Sequence, residues 1–202
     1  MKDKEDMENK IKIVVGTSNP HKIKEMNEIA KEYPIEFILP NSNNFDPDEN
    51  GKNFIENATI KALEASKISD GEFFLADDSG LCVDFLNGAP GIHSARYAET
   101  PKKRINKLLD ALVEDKKRTA HFVCALCLVN KKGEIIHTEE GKVFGKIAHK
   151  EAGINGFGYD PIFIVDNIGK TMAELSEEEK NTLSHRGQAL KAMLKWIKSN
   201  FN

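Results

Sequence analysis

Apolar and polar residues follow one another along this chain with two different periods. Short runs rich in β-branched and aromatic residues predict strands, and apolar residues spaced three and four apart predict helices. Strands are expected at residues 11–15, 35–39, 73–76, 81–85, 119–129 and 134–143, and helices beginning near residues 20, 52, 101, 176 and 184. No internal repeat and no composition shift marks a linker. The 202 residues therefore fit one domain or two small lobes.

Two adjacent carboxylates, Asp77 and Asp78, interrupt the most apolar part of the pattern. Asp is rare in strands and neighbouring carboxylates repel each other, so we expect something to stabilise this pair. A divalent cation such as Mg²⁺, which takes oxygen ligands, does this well. The alternative is a turn, because Asp-Asp-Ser-Gly is also good turn chemistry. In either case we expect the flanking strands to leave both carboxylates uncovered.

The first strand runs through Thr17-Ser18-Asn19 into a helix that begins at Pro20. Pro suits the first turn of a helix, with Ser18 or Asn19 as its N-cap. Such a loop presents backbone N–H groups to an anion, and Lys22 adds a positive charge. The sequence fits a phosphate site and an ordinary strand-to-helix connection equally well.

Further polar groups lie in the next loop and helix. The loop at residues 40–52 contains Asp48 and Glu49, whose carboxylates could meet a metal ion or simply face solvent. In the helix that follows, Asn57 and Lys61 stand four residues apart and therefore share one face.

A second glycine-rich loop runs from Gly153 to Pro161 and contains Phe157. Its glycines let the backbone approach a ligand closely, and Phe157 could offer a stacking face. The alternative is a tight loop with a buried Phe. Further along, His185 and Arg186 start the last helix, where cations oppose the helix dipole. Their placement therefore suggests a role beyond stability.

Composition excludes several classes of protein. The net charge is −3 and the pI about 6.1, so a nucleic-acid partner bound through a basic surface is not expected. The apolar runs are too short to span a bilayer, and the charged residues 1–10 do not form a signal peptide. We expect a cytoplasmic protein with a disordered segment at residues 1–10 and a single domain at residues 11–202.

The cysteines are expected to be reduced thiols, because there are three of them and no secretion signal. Cys124 and Cys127 have a metal-like spacing, but they lie in a predicted strand, where an offset of three places side chains on opposite faces. Buried thiols explain them better.

The motifs taken together resemble the inosine triphosphate pyrophosphatases, which hydrolyse deaminated purine nucleoside triphosphates. The matching segments occur in the family's order and cover nearly the whole chain after Ile11; they are Thr17–Lys22, Phe54–Ala62, Ala76–Leu81, Gly88–Tyr97, Gly156–Pro161 and Ser184–Gly187. The resemblance implies an elongated α/β fold, with a long mixed sheet flanked by helices in two lobes and the active site in the cleft between them. It also implies a homodimer.

The resemblance further implies hydrolysis at the α-phosphorus, which yields a nucleoside monophosphate and pyrophosphate. Asp78 would act as the base, and Asp77 would tune it or co-ligate the metal ion. Mg²⁺ would be held by Asp78 with Asp48 or Glu49. The implied substrate-binding residues are Thr17, Ser18, Asn19, Pro20, His21, Lys22, Lys61, Ser79, Phe157, Gly158, Tyr159, Asp160, Lys180, His185 and Arg186.

Within this set the resemblance separates two tasks. The Thr17–Lys22 loop, Lys61 and Lys180 would hold the triphosphate. Phe157 would stack on the base, with Asp160 anchoring the loop or the base, while His185 and Arg186 would read the purine edge. Two other functions stay open, namely a pyrophosphatase for pyrimidine or modified nucleotides and a non-catalytic nucleotide sensor. The Ser184-His185-Arg186 segment argues against the first, and a sensor would not need the two aspartates.

Overall fold

A computed structural model of the chain describes residues 10–41, 45–112 and 117–201. The segment expected to be disordered, residues 1–10, falls outside these ranges except for Lys10. The strands are β1 (Ile11–Val15), β2 (Ile35–Ile38), β3 (Phe73–Val83), β4 (Thr119–Asn130), β5 (Ile135–Ile147) and β6 (Phe163–Val165). The α-helices are α1 (Pro20–Ile29), α2 (Phe54–Ile68), α3 (Pro101–Ala111), α4 (Glu177–Leu183) and α5 (His185–Asn200).

The strands form one mixed sheet in the order β2-β1-β3-β4-β5-β6. Strand β1 pairs in parallel with both β2 and β3, whereas β5 and β6 are antiparallel. The parallel pairs need crossover connections, which α1 and α2 supply. The α/β class with a mixed sheet and flanking helices is therefore confirmed.

Strand β3 corrects one prediction, because it is a single strand of 11 residues with no turn at Asp77 and Asp78. The expectation that both carboxylates would be uncovered is wrong as well, since Asp77 is 1% and Asp78 7% exposed. A turn is plausible from the sequence because Asp is uncommon in strands. Lysines from α1 and α2 override that preference by neutralising the two carboxylates.

The chain divides into two compact units. Unit 1 comprises Met1–Asp78, Ala125–Glu140 and Gln188–Asn202, and unit 2 comprises Ser79–Cys124 and Gly141–Gly187. In unit 1 the core is built from apolar side chains of β1, β3, β4 and the two helices α2 and α5. Its fully buried members include Ile13, Val15, Ala58, Ala62, Leu75, Leu126, Leu128, Leu190 and Leu194.

Unit 2 has its own apolar core. It joins the end of β3 to α3, β5 and β6, and includes Leu81, Val83, Leu108, Ile147, Ile162 and Phe163. Tyr159, in the loop before β6, packs into the same core. This burial fixes the glycine-rich loop at its C-terminal end.

Side chains cap the helices where the sequence predicts it. Asn19 rather than Ser18 caps α1, because its Oδ1 accepts from the His21 backbone N–H at 2.9 Å. Ser176 and Glu179 form a capping box at α4, each side chain accepting from the other's backbone N–H. These caps fix where the chain enters each helix.

Two expectations from composition also meet the structure. Cys124 and Cys127 are fully buried free thiols, as expected, and burial raises the pKa of Cys127 despite a hydrogen bond with Thr59. Within the described ranges, no helix combines the length and the apolar character that a membrane crossing needs.

The capping box predicts a pH-dependent contribution to stability. The hydrogen bonds from the Ser176 backbone and side chain hold the pKa of Glu179 below its usual 4.5. A lowered folded-state pKa stabilises the fold above the unfolded value, and that stabilisation is lost as the pH falls through the folded one. Glu179→Gln should therefore lower the melting temperature at pH 7, and this difference should shrink as the pH falls toward 3.

The measurement is thermal unfolding of both proteins at pH 7, 5, 4 and 3. Glu178→Gln serves as the matched control, because it removes the same charge from the same helical turn outside the capping box. A difference between wild type and Glu179→Gln that is equal at pH 7 and pH 3 would contradict the assignment.

Candidate active site

The two adjacent aspartates of β3 are each neutralised by a lysine from a different helix. Lys22 Nζ of α1 lies 2.8 Å from Asp77 Oδ1, and Lys61 Nζ of α2 lies 3.3 Å from Asp78 Oδ1. Successive side chains of a strand point to opposite faces, so one lysine could not reach both in this way. Unit 1 thus meets the cost of two buried carboxylates with two separate ammonium groups.

Lys61 also brings a second acid to Asp78. Its Nζ lies 2.8 Å from Glu49 Oε1, while its side chain is only 10% exposed. The resemblance left open whether Asp48 or Glu49 belongs to the site. In the structure Glu49 shares the Lys61 ammonium with Asp78, whereas Asp48 is exposed to solvent.

Asn57 is a residue of this cluster that sequence reasoning left out of the site. Its Nδ2 donates to Asp78 Oδ2 at 3.1 Å, and its Oδ1 accepts from the Gly51 backbone N–H at 2.8 Å. It lies one turn before Lys61 on α2, so both side chains reach β3 from one helix face. That spacing was visible in the sequence and could have placed Asn57 in the site.

The cluster carries an excess of negative charge. Burial raises the pKa of Asp78, and the contacts with Lys61 and Asn57 offset only part of this. For Lys61, burial lowers the pKa, but Asp77, Asp78 and Glu49 together outweigh it and raise the pKa overall. Burial thus accounts for the raised pKa of Asp78, whereas the three carboxylates account for the raised pKa of Lys61.

The donor set of this cluster fits a magnesium ion. Glu49 and Asp78 already meet at one cationic point, and carboxylate oxygens are what Mg²⁺ binds. Across the described parts of the chain, no group of three or more His, Cys, Asp or Glu residues could hold a metal ion. Two carboxylates suffice, because Mg²⁺ usually completes its shell with water and substrate phosphate.

The predicted anion loop lies between β1 and α1. Thr17 is buried, and its Oγ1 accepts from the Asn19 backbone N–H, whereas Ser18, Asn19, Pro20 and His21 are exposed. Gly16 packs against α2, since a Cβ there would lie 2.9 Å from the Lys61 carbonyl oxygen. The loop, Lys22 and Lys61 thus belong to one local arrangement. Ser79, half-buried, follows Asp78 in β3.

Unit 2 contains a second cluster, which is built around Phe157. This ring is 63% exposed, so the alternative of a buried Phe is wrong. Lys180 Nζ lies 4.8 Å and Arg186 Cζ 5.9 Å from the ring centroid. Both are within range of a cation–π contact. The loop leaves the ring exposed because its neighbour Tyr159, not Phe157, supplies the aromatic side chain that packs into the core.

Asp160 holds this loop in shape. Its Oδ2 accepts from the Phe157 backbone N–H at 2.9 Å and from Lys180 Nζ at 2.6 Å. Gly156 has φ +77°, and a Cβ there would lie 2.2 Å from the same oxygen, so no other residue fits. Gly158 also has a positive φ. These constraints fix Phe157 without burying it.

The remaining predicted residues surround this loop. Tyr159 is buried, and its hydroxyl donates to the Ser94 carbonyl oxygen at 3.1 Å; burial raises its pKa. Arg186 is buried, and His185 stacks on Phe122 with a ring separation of 4.8 Å. His185 is therefore held by an aromatic contact, while Arg186 is held beside Phe157.

The fold and the two clusters define an α/β protein with a buried acidic cluster neutralised by lysines and an exposed aromatic ring flanked by cations. The Ham1 family model matches residues 13–196, and the chain belongs to the Ham1 family. This confirms the resemblance drawn from the motifs.

Known relatives cover nearly the full chain. It is 45% identical to the dITP/XTP pyrophosphatase of Clostridium perfringens over 194 residues, which is 90% of this chain and 95% of that protein. It is 43% identical to the dITP/XTP pyrophosphatase of Treponema denticola, covering 94% of this chain and 100% of that one. The solved HAM1 protein from Coxiella burnetii superposes with a TM-score of 0.84 at 41% identity, covering 94% and 99% of the two chains.

Asn57 gives a test of the acidic cluster. Asn57→Ala removes the acceptor of the half-buried Gly51 N–H and a donor to the buried Asp78 carboxylate, so we expect the free energy of unfolding to fall by about 1–3 kcal/mol. Urea unfolding measures this difference. Asn50→Ala, an exposed change in the neighbouring loop, should cost less than about 0.5 kcal/mol. Equal effects of the two substitutions would show that the Asn57 contacts do not stabilise the fold.

Proposed function

We propose that this protein hydrolyses deaminated purine nucleoside triphosphates, such as those of inosine, deoxyinosine and xanthosine, to a nucleoside monophosphate and pyrophosphate. The observation that carries the proposal is the pair of buried aspartates in β3, each with its own lysine. Such an arrangement suits a reaction that needs positioning and charge neutralisation more than covalent chemistry. The names of the relatives, dITP/XTP pyrophosphatases, support the choice of substrate.

In unit 1 the triphosphate is held by positive charge and by the N-terminal end of a helix. Lys22 and Lys61 supply the charge, and the exposed loop at residues 18–21 lies at the start of α1, where the helix dipole favours an anion. Glu49 and Asp78 are the residues that would hold Mg²⁺. When bound, this ion neutralises charge on the phosphate oxygens and makes the phosphorus more electrophilic.

Asp78 accepts the proton of the attacking water. The water oxygen forms a bond to the α-phosphorus as the bond from that phosphorus to the bridging oxygen breaks, and pyrophosphate leaves with the electron pair. The proton goes to an Asp78 carboxylate oxygen. Burial, which raises the pKa of Asp78, makes the ionised carboxylate a stronger base than an exposed one. Asp77, paired with Lys22, keeps that lysine in place.

In unit 2 the base is recognised by stacking and by charge. Phe157 offers an exposed ring for the purine, and Arg186, held beside that ring, faces the purine edge. Inosine and xanthosine carry an oxygen at position 6, where adenine carries an amino group. Arg can only donate hydrogen bonds. It therefore donates to the oxygen at position 6 but offers no acceptor to an amino group there. A homodimer and a cytoplasmic location are further proposals, which rest on the resemblance and the sequence.

The test is a panel of purine and pyrimidine triphosphates incubated with Mg²⁺, with pyrophosphate and free phosphate measured separately. We expect pyrophosphate and a monophosphate from inosine and xanthosine triphosphates. The nearly isosteric variant Asp78→Asn, which removes the proposed base, should lose about 10²-fold or more in kcat, since acid–base catalysis is typically worth about 10²–10⁴-fold. Free phosphate with a diphosphate product, or a preference for pyrimidines, would overturn the proposal; binding without turnover would indicate a sensor.

Arg186 gives a separate prediction about base choice. Arg186→Ala should lower kcat/KM for inosine triphosphate much more than for adenosine triphosphate, because the amino group of adenine accepts no hydrogen bond from Arg186. The ratio of the two kcat/KM values should therefore shrink, by about tenfold if the contact is worth about 1.4 kcal/mol. Lys195→Ala, an exposed change on the same helix, should leave the ratio intact. An equal fall for both nucleotides would assign Arg186 to phosphate binding or to structure.

A further inference from the structure

The Lys61 ammonium group has an unusual position, because it joins the two carboxylates that fit a metal ion. It lies 2.8 Å from Glu49 Oε1 and 3.3 Å from Asp78 Oδ1, with only 10% of its side chain exposed. A lysine that only served phosphate would not need to contact both. The two acids are thus already bridged by a positive charge that the chain itself supplies.

We propose that Lys61 is an internal counter-ion that competes with the divalent cation for Glu49 and Asp78 and leaves them when the triphosphate binds. Metal ion and nucleotide then bind cooperatively, each making the other's site more favourable. The proposal rests on the proposed function only for the identity of the nucleotide.

The competition follows from space and charge. Glu49 Oε1 already contacts the Lys61 ammonium group at 2.8 Å. A metal ion that bridged Glu49 and Asp78 would occupy the same position, so it must displace the ammonium group. Displacing Lys61 without another anion leaves a largely buried ammonium without its partners, which is costly. Metal binding to the nucleotide-free protein should therefore be weak.

A triphosphate removes this cost. Its oxygens offer Lys61 new anionic partners, and the four-carbon lysine stem is flexible enough to change partners while α2 stays in place. Glu49 and Asp78 are then released for the metal. Because coupling between two ligands is reciprocal, the metal must favour nucleotide binding by the same factor.

Lys22 provides an internal comparison within the same cluster. It also carries an ammonium group beside a buried aspartate, 2.8 Å from Asp77 Oδ1, but Asp77 is not one of the two acids that fit the metal. Removing Lys22 changes the net charge of the cluster as much as removing Lys61 does. Only Lys61, however, should compete with the metal ion for contact with Glu49 and Asp78.

The experiment measures Mn²⁺ binding by the electron paramagnetic resonance signal of the free ion, first without nucleotide. Lys61→Met should lower the Kd for Mn²⁺ at least about fivefold, the lower end of common coupling strengths. Lys22→Met should change it by less than about twofold. Lys67→Met, which removes an exposed lysine paired with Glu64 on the same helix, should not change it. Lys61→Gln is a second replacement with the same expected tightening, and thermal unfolding confirms that each variant is folded.

The second arm repeats the titration with α,β-methylene inosine triphosphate, which lacks the bond proposed to be cleaved. This nucleotide should tighten Mn²⁺ binding to wild type far more than to Lys61→Met. Equal tightening of nucleotide-free Mn²⁺ binding by Lys61→Met and Lys22→Met would reduce the effect to net charge and overturn the proposal. Unchanged or weaker binding in both Lys61 variants would overturn it too. If no nucleotide yields pyrophosphate, the proposed function fails, but the nucleotide-free result still decides the role of Lys61.

Discussion

The burial of two neighbouring carboxylates inside one continuous strand is the constraint on which the rest of unit 1 depends. An uncompensated buried charge costs several kcal/mol, so each aspartate requires a cation within reach. Because the two side chains leave β3 on opposite faces, the cations must come from different elements. Lys22 from α1 and Lys61 from α2 meet that requirement, and both helices connect strands that pair in parallel with β1.

The same constraint leaves the cluster short of positive charge. Three carboxylates surround two ammonium groups, and the pKa values of Asp78 and Lys61 are both raised. Replacing these ion pairs with hydrophobic side chains of similar volume would in general give a fold that is no less stable, since buried ion pairs rarely stabilise a fold more than good packing does. Stability alone therefore does not explain this arrangement, which accords with the proposal that the cluster binds a cation and a phosphate.

Local signals in the sequence predicted most of the fold. The strand and helix periods, the Asn19 cap and the Ser176 capping box depend on neighbours within a few residues, so they can be read directly. The turn at Asp77 failed because the lysines that neutralise β3 come from 17 and 55 residues away. The contact of Lys61 with Glu49 and not with Asp48 could not be predicted for the same reason, since it depends on which side chain reaches Lys61.

Phe157 shows a second limit of prediction from the sequence, because packing rules favour a buried Phe and this ring is exposed. Burying a Phe is worth about 1.5–3 kcal/mol, and the core of unit 2 lies two residues away at Tyr159. The loop forgoes that gain: Gly156 and the Asp160 carboxylate set a backbone that presents the ring, and Lys180 and Arg186 flank it. An exposed ring on a backbone that is already fixed loses less entropy on stacking against a planar partner than a ring on an unconstrained loop does.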